Sequence, residues 1–368
     1  MRILHILNHV RAAGTGIVNS AVDLACAQSD SGHTVAVASA GGNYVGLLES
    51  HGVEHFFLNQ RWRAHHGWGW SSFKTVTRAL ADFRRIARSF APEIVHCHMM
   101  TGVIIARLCR RKPGYRLVSH VHNIHQRSSA LMRLADKSIA VSDGVARQMA
   151  DWGFPKEKTA VIRCGTLGTS RFSAESREQA VELKQPAIVT VAGLWKRKNI
   201  DGLIRAFALI AREFPEANLY VVGEGGDRVE FETLADHTTV GDRIHFEGFK
   251  EDPRPYMRAA RIFVLASHRE SFGLVFQEAR EAGAAIIGTD VDGIPEALDY
   301  GRAGLLVPPG NTHELASAIR LLLSDESARQ KWQCAARENL QQQTVRHMCR
   351  EVDSLYRKLL PKGQTMSP

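Results

Sequence analysis

Short aliphatic and β-branched runs alternate with longer amphipathic stretches from the first residues onward. "RILHIL", "HTVAVAS", "VEHFFLN", "EIVHCH", "RLVSHVH", "KSIAVS" and "TAVI" read as strands, with helical patterns and Gly-containing loops between them. Such alternation predicts parallel strands with covering helices. Between 71 and 90, Phe73, Val76, Leu80, Phe83, Ile86 and Phe90 step by three and four, as one helix face should. The other face carries Lys74, Arg78, Arg84, Arg85 and Arg88. After the polar stretch "SRFSAESREQAVELKQ" the pattern restarts with "PAIVTVA", a helix over 199–214, "ANLYVVG", "RIHFEG", "RIFVLAS", "AAIIGT" and "GLLVPP". This predicts a second doubly wound unit. The segment "TVRHMCREVDSLYRKLL" reads as a last amphipathic helix before a polar end.

A chain of 368 residues fits two domains of ordinary size. Ligands of open α/β sheets bind at the carboxyl ends of the strands, so the expected site is a cleft between the two. With 44% hydrophobic and 23% charged residues the composition is globular. No apolar run approaches the roughly 20 residues of a membrane span. "MRILHILNHV" is too short and too polar for a signal peptide and reads as a first strand. The six cysteines show no Cys-x-x-Cys spacing, which disfavours a zinc site or a disulfide framework and suits a reduced cytoplasm. A net charge of +9 fits nucleic acid, an anionic membrane or a phosphorylated small molecule equally well.

Three stretches could carry chemistry. In "HVRAAGTGIVNSAVDLA", Gly14, Thr15 and Gly16 lie between a strand and a helix, where the backbone can approach a phosphate. The third glycine of a dinucleotide fingerprint is missing, as is the Lys-Ser/Thr of a P-loop, and a simple tight turn explains these residues as well. "AGLWKRKNIDGLIRAF" puts Lys196, Arg197 and Lys198 at a β-to-α turn, where cations can neutralise a departing diphosphate or simply be solvated. In "HRESFGLVFQEAREAG", Glu270 falls in a loop. The amides of Ser271, Phe272, Gly273 and Leu274 then open a helix as an anion cradle. Glu278 is expected about two turns inside that helix, able to accept hydrogen bonds from vicinal hydroxyls.

Two possible metal patterns are weaker. Asp290 and Asp292 in "TDVDG" have a cation-binding spacing, but they follow a late strand and read as a loop. His96, His98, His120 and His122 alternate along strand ends, so each pair shares a face as metal ligands would. No carboxylate or cysteine set accompanies them, and the reading favoured is a polar cleft lining.

The Glu-x7-Glu stretch followed by "GTDVDGIPEALDYGRAGLLVPPGN" resembles the donor half of family 4 retaining glycosyltransferases. "GTGIVNSAVDLA", "GHTVAVAS", "EIVHCH", "VSHVHN", "ADKSIAVSDGVARQM" and "VVGEGGDRVEFETLA" follow in the order of that family. The resemblance implies a GT-B fold, α/β, with two Rossmann-like doubly wound domains facing across a cleft. Residues 1–167 would form the acceptor-side domain, 168–185 a linker, 186–344 the nucleotide-sugar domain, and 345–361 a helix crossing back to the N-domain. By the same resemblance Glu278 binds donor ribose, Glu270 and the Phe272–Leu274 backbone hold sugar and diphosphate, and Lys198 binds phosphate. His122 would contact the donor sugar, Gly14–Gly16 would lie near the phosphates, and Phe249 would lie near the base. Gly193 stands where the family commonly has a phosphate-binding arginine, a role open to Arg197. Cys164 and Leu167 in "RCGTLG" replace the family's Asn and Asp.

"RWRAHHGWGW" interleaves Arg61 and Arg63 with Trp62, Trp68 and Trp70. It could serve a glycan or glycolipid acceptor or an anionic membrane surface, or its tryptophans could plug the domain's own core. Nucleic acid is disfavoured because no module for it is present. The expectation is a cytoplasmic enzyme, peripheral at most at the inner face of the membrane. It would need no metal or cofactor and would move a sugar from a nucleoside diphosphate donor to an acceptor hydroxyl with retention, in envelope polysaccharide or lipopolysaccharide synthesis. Glu270, His122 and Lys198 carry the reaction in that expectation. A sugar-nucleotide epimerase and a catalytically silent GT-B protein are the alternatives.

Overall fold

The computed structural model describes residues 1–12, 16–60, 70–111, 114–123, 126–172 and 180–360, with side chains from Thr75 onward in the helix that starts at Trp70. Gly14, Thr15, Arg61, Trp62, Arg63, Trp68 and the Trp70 side chain lie outside the described residues. Two compact units emerge, one of Met1–Arg171 with Thr344–Pro368 and one of Phe172–Gln343. The segment expected as a linker is therefore shared, with 168–171 in the first unit and the rest in the second.

The first unit is built on seven strands: β1 (Arg2–Ile6), β2 (Thr34–Ser39), β3 (Glu54–Phe57), β4 (Ile94–Cys97), β5 (Arg116–Val121), β6 (Lys137–Ala140) and β7 (Thr159–Val161). They pair in the order β3-β2-β1-β4-β5-β6-β7, every pair parallel. Its helices are α1 (Gly16–Asp30), α2 (Val45–Ser50), α3 (Trp70–Phe90), α4 (Met100–Cys109) and α5 (Asp143–Asp151). The strands read as apolar runs because β4 is buried along its whole length and β1 along all but its first residue. Helix α3 buries Phe83, Ile86 and Phe90 of the face that the spacing predicts, with Val76 and Leu80 half-buried and Ala79 buried in addition.

The second unit has β8 (Ala187–Val191), β9 (Asn218–Val222), β10 (Ile244–Gly248), β11 (Ile262–Leu265), β12 (Ala285–Thr289) and β13 (Leu305–Val307), in the parallel order β10-β9-β8-β11-β12-β13. Helices α6 (Ile200–Ile210), α7 (Arg228–Asp236), α8 (Arg254–Ala259), α9 (Leu274–Ala282), α10 (Ile294–Ala297), α11 (Thr312–Ser324) and α12 (Glu326–Ala336) connect them. The starts of α11 and α12 follow from sequence, since Asn311 and Asp325 accept hydrogen bonds from the amides of Glu314 and Ala328. The seven and six strands are those that the alternating pattern marks out.

The last helix, α13 (Val345–Leu359), is capped by Thr344 and packs in the first unit. Its buried stripe includes Val345, Met348, Cys349, Val352, Leu355 and Tyr356, with Asp353 buried among them. The "RCGTLG" segment forms its seat. Leu167 pairs with Thr344, the Gly165 amide points at Met348 Sδ, and any side chain on residue 165 would run into the Thr344 backbone. Among the described residues no helix is long and apolar enough to cross a membrane.

Candidate functional site

The loop leaving β11 is clamped before it becomes α9. The Glu270 amide donates to Asp292 Oδ2 at 3.0 Å, the Gly293 amide donates to the Glu270 carbonyl at 3.0 Å, and Arg269 Nε reaches the same Asp292 oxygen at 2.8 Å. Asp292 is thus a backbone anchor in the left-handed region (φ 49°), a role its spacing to Asp290 did not suggest. Gly293 has no room for a side chain because the Ser271 carbonyl lies against it. The chain then turns at Gly273 (φ 84°), Phe272 and Phe276 enter the core, and α9 starts at Leu274. The first amides of a helix have no intrahelical acceptor, which is why a strand-to-helix turn is a favourable place for an anion.

Glu278 is the fifth residue of α9, little more than one turn in rather than the two expected, because the helix starts at Leu274. It is half-buried, whereas its neighbours Gln277, Ala279 and Arg280 are buried. Arg280 is spent on structure, its guanidinium donating to the carbonyls of Ala297, Ala336 and Glu338.

The basic turn after β8 divides its three cations. Lys196 pairs with Glu230 at 3.1 Å, whereas Lys198 pairs with Glu270, both side chains mostly buried at 11% and 13% exposure. No ion pair to Arg197 is found among the described residues, and its carbonyl is tied to the His268 amide at 2.8 Å. Lys198, Arg197 and Glu270 therefore share one corner of the second unit, at the carboxyl ends of β8 and β11. Trp195, 47% exposed, occupies the ground next to Gly193: a methyl group there would lie 3.1 Å from its indole. Phe249, 43% exposed, follows Gly248 at the end of β10.

In the first unit, Gly16 opens α1 and His122 follows β5. The histidines do not line an open surface. His96, His98 and His120 are buried in the domain, joined by His5, and only His122 is partly exposed. The reason is the strand period: positions 96 and 98, and 120 and 122, share the sheet face that α13 covers, and Tyr356 of α13 bonds His96 Nδ1. Burial pushes His122 down to about 3 and holds His96, His98 and His120 well below the ordinary imidazole value, so all are neutral. His5, Gln28, Asp353 and Tyr356 carried no signal in the sequence, lying on apolar strand or helix patterns remote from one another.

Two parallel-sheet, Rossmann-like units of seven and six strands are the architecture of a GT-B protein. The model described as glycosyl transferases group 1 matches residues 172–339, and that described as glycosyltransferase family 4 matches residues 14–166. The chain belongs to the family 4 glycosyltransferases. It is 28% identical to the lipopolysaccharide core biosynthesis glycosyltransferase LpsE of Rhizobium meliloti over 198 residues, 54% of this chain and 56% of that one. It is 23% identical to LpsD of the same organism, with the same described role, over 87% of this chain and 93% of that one. The chain spans about half the length of the first curated relatives it matches. In fold it is similar to the crystal structure of Anabaena HepE in complex with UDP, with TM-score 0.79 and 19% identity over 97% of this chain and 100% of that one.

Proposed function

We propose that this chain is a retaining glycosyltransferase that moves a sugar from a nucleoside diphosphate sugar to an acceptor hydroxyl in envelope polysaccharide synthesis. The observation that carries the reading is the clamped Glu270–Leu274 turn, which sets the N-terminal end of α9 next to the Lys198–Glu270 pair and Arg197. Fixed N–H groups and cations at one corner suit a diphosphate whose charge grows as the glycosidic bond breaks. In this reading Lys198 and Arg197 stabilise the leaving diphosphate, with Arg197 standing in for the arginine replaced by Gly193. Glu270 orients the sugar, Glu278 accepts ribose hydroxyls, Phe249 lies by the base, and His122 is assigned to the donor sugar. The leaving phosphate takes the acceptor's proton. No metal is needed. The names of the Rhizobium relatives and the UDP in HepE support envelope glycan as product and a nucleotide sugar as donor.

A cavity of about 950 Å³ in the first unit is ringed by Arg84, Arg88, Arg107, Arg110, Arg111 and Arg116. That concentration of charge supports contact with an anionic membrane or a phosphorylated glycolipid acceptor. The test is incubation with UDP-, GDP- and ADP-sugars, following thermal shift, hydrolysis, epimerisation and transfer, with NMR of the product anomeric centre. Lys198→Ala and Glu278→Ala should each weaken donor binding or turnover at least about tenfold, the loss of one charge-assisted contact. Undiminished transfer in both sinks the assignment. Epimerised donor without acceptor supports the epimerase, and no turnover with any sugar supports a silent binding protein.

A further inference from the structure

Five imidazoles from three adjacent strands stack in the interior of the first unit. His5 and His96 face each other in the β1–β4 register, His96 and His98 stack at 4.5 Å, and His120 and His122 stack at 4.1 Å. Their hydrogen bonds leave a deficit. His96 Nε2 and both ring nitrogens of His120 are buried without a partner. Each such group has given up its hydrogen bonds to water without replacement, so a fold that retains three of them in one place calls for an explanation.

The tautomers can be worked out from the far end. The Asp353 carboxylate only accepts, so the Gln28 amide nitrogen faces it at 3.0 Å and the Gln28 oxygen faces His5 Nε2 at 2.8 Å. His5 Nε2 therefore carries the proton, and neutral His5 has a bare Nδ1. That Nδ1 lies 3.1 Å from His98 Nε2, which must donate to it. His98 Nδ1 is then bare and accepts from His122 Nε2–H at 3.0 Å, a hydrogen bond that an ion bound between the two rings would replace. One nitrogen each of His98, His120 and His122 lies within 4.8 Å of the others.

We infer that His98, His120 and His122 form a binding site for one borderline transition-metal dication, of which Zn²⁺ is the type. Three neutral imidazoles with an open fourth position are a known donor set for such ions. The partly exposed edge at His122 supplies the open position and the way in. Binding satisfies one of the orphaned His120 nitrogens, and the chain Asp353–Gln28–His5 holds His98 in the required tautomer, as outer-shell partners do. His5, His96 and His98 form a second group of the same spacing, but it is buried throughout and has no accessible edge.

The full chain, stripped with chelator, is titrated with Co²⁺ and then Zn²⁺. The site predicts one equivalent of Co²⁺ with the intense visible bands of a tetrahedral ion, bleached by one equivalent of Zn²⁺. His120→Phe should abolish the bands, and Gln28→Leu should weaken binding about 10- to 100-fold by releasing the tautomer chain. His237→Ala, at an exposed histidine, should change nothing. X-ray absorption of the zinc-loaded wild type counts the imidazoles whether or not the variants fold. Three nitrogens at about 2.0–2.1 Å support the site. Fewer than three, no tetrahedral spectrum, or unchanged binding in folded His120→Phe overturns it.

Discussion

Replacing Gly273 by Ala tests whether the turn before α9 is built for a missing side chain. The residue holds φ 84°, and a left-handed residue other than glycine costs roughly 1–2 kcal/mol. The methyl would also lie 2.7 Å from Phe276 Cδ2 and 3.4 Å from Glu270 Cγ, where carbon atoms rest at about 3.5–4.0 Å. Phe276 has little room to retreat. It is fully buried, stands edge-on to Phe263 at 6.0 Å, and its Cζ lies 3.0 Å from where a side chain on Gly288 would begin. Overpacking of this kind adds about 1–3 kcal/mol, giving roughly 3 kcal/mol in all. Gly301→Ala is the control: its φ is 86°, but its nearest neighbour, Leu306 Cδ1, would be 3.6 Å away, so it bears only the backbone cost. Urea titration read by hydrogen exchange in peptides from β11 and β12 compares the two variants within one unit. If Gly273→Ala costs no more than Gly301→Ala, the steric reasoning is wrong. Weaker nucleotide-sugar binding in Gly273→Ala alone is the corresponding functional readout.

Further outcomes follow from the same geometry. Gly193→Arg, which installs the arginine common in the family, should not tighten donor binding by itself because Trp195 stands 3.1 Å from the new Cβ; with Trp195→Ala added, calorimetry should show the gain. Asp23 accepts from Thr169 Oγ1 at 2.6 Å and from Arg171 Nε at 3.0 Å, with both charged side chains almost wholly buried. Asp23→Ala removes the buried carboxylate that faces the Arg171 guanidinium and should destabilise the first unit by about 3 kcal/mol, and a loss under about 0.5 kcal/mol in chemical denaturation contradicts that. In metal-free protein, burial lowers His5 to about 4 from an ordinary 6.5, with His96, His98 and His120 well below it too. The native state stays unprotonated where the unfolded chain takes up protons. Stability is therefore complete above about pH 6.5 and falls as pH drops, by up to about 1.4 kcal/mol per pH unit for each histidine. Denaturation midpoints that stay flat between about pH 7 and 5 would refute this.

Strands β1, β2, β4, β8, β9, β11 and β12 were legible because strands inside a parallel sheet are buried on both faces and stand out as mostly apolar runs, whereas the only partly buried β3, β7 and β10 were legible from their place in the alternation with helices. The Lys198 turn and the Glu270 loop were legible because both mark the passage from strand to helix. The Lys198–Glu270 pairing was not: 72 positions separate them, and no local pattern encodes which cation of "KRK" turns inward. The histidines show the same limit. Alternation reveals that His96 and His98 share a face but not that α13 covers it, and His5 looks like one polar interruption in an apolar strand. Trp195 passed unnoticed because its importance lies in the side chains absent from Gly193 and Gly226, against which its ring rests.

The placement of α13 also sets an order of assembly. Residues 172–343 form a continuous unit and are complete once their own stretch has emerged, whereas the first unit takes its final helix from beyond them. During synthesis the earlier-made unit must wait for the later one, with the Asp353 and Tyr356 ends of its histidine network unmade until the last segment arrives. A nascent chain that has emerged as far as residue 343 but not through α13 would therefore carry a finished second domain and an unfinished first one.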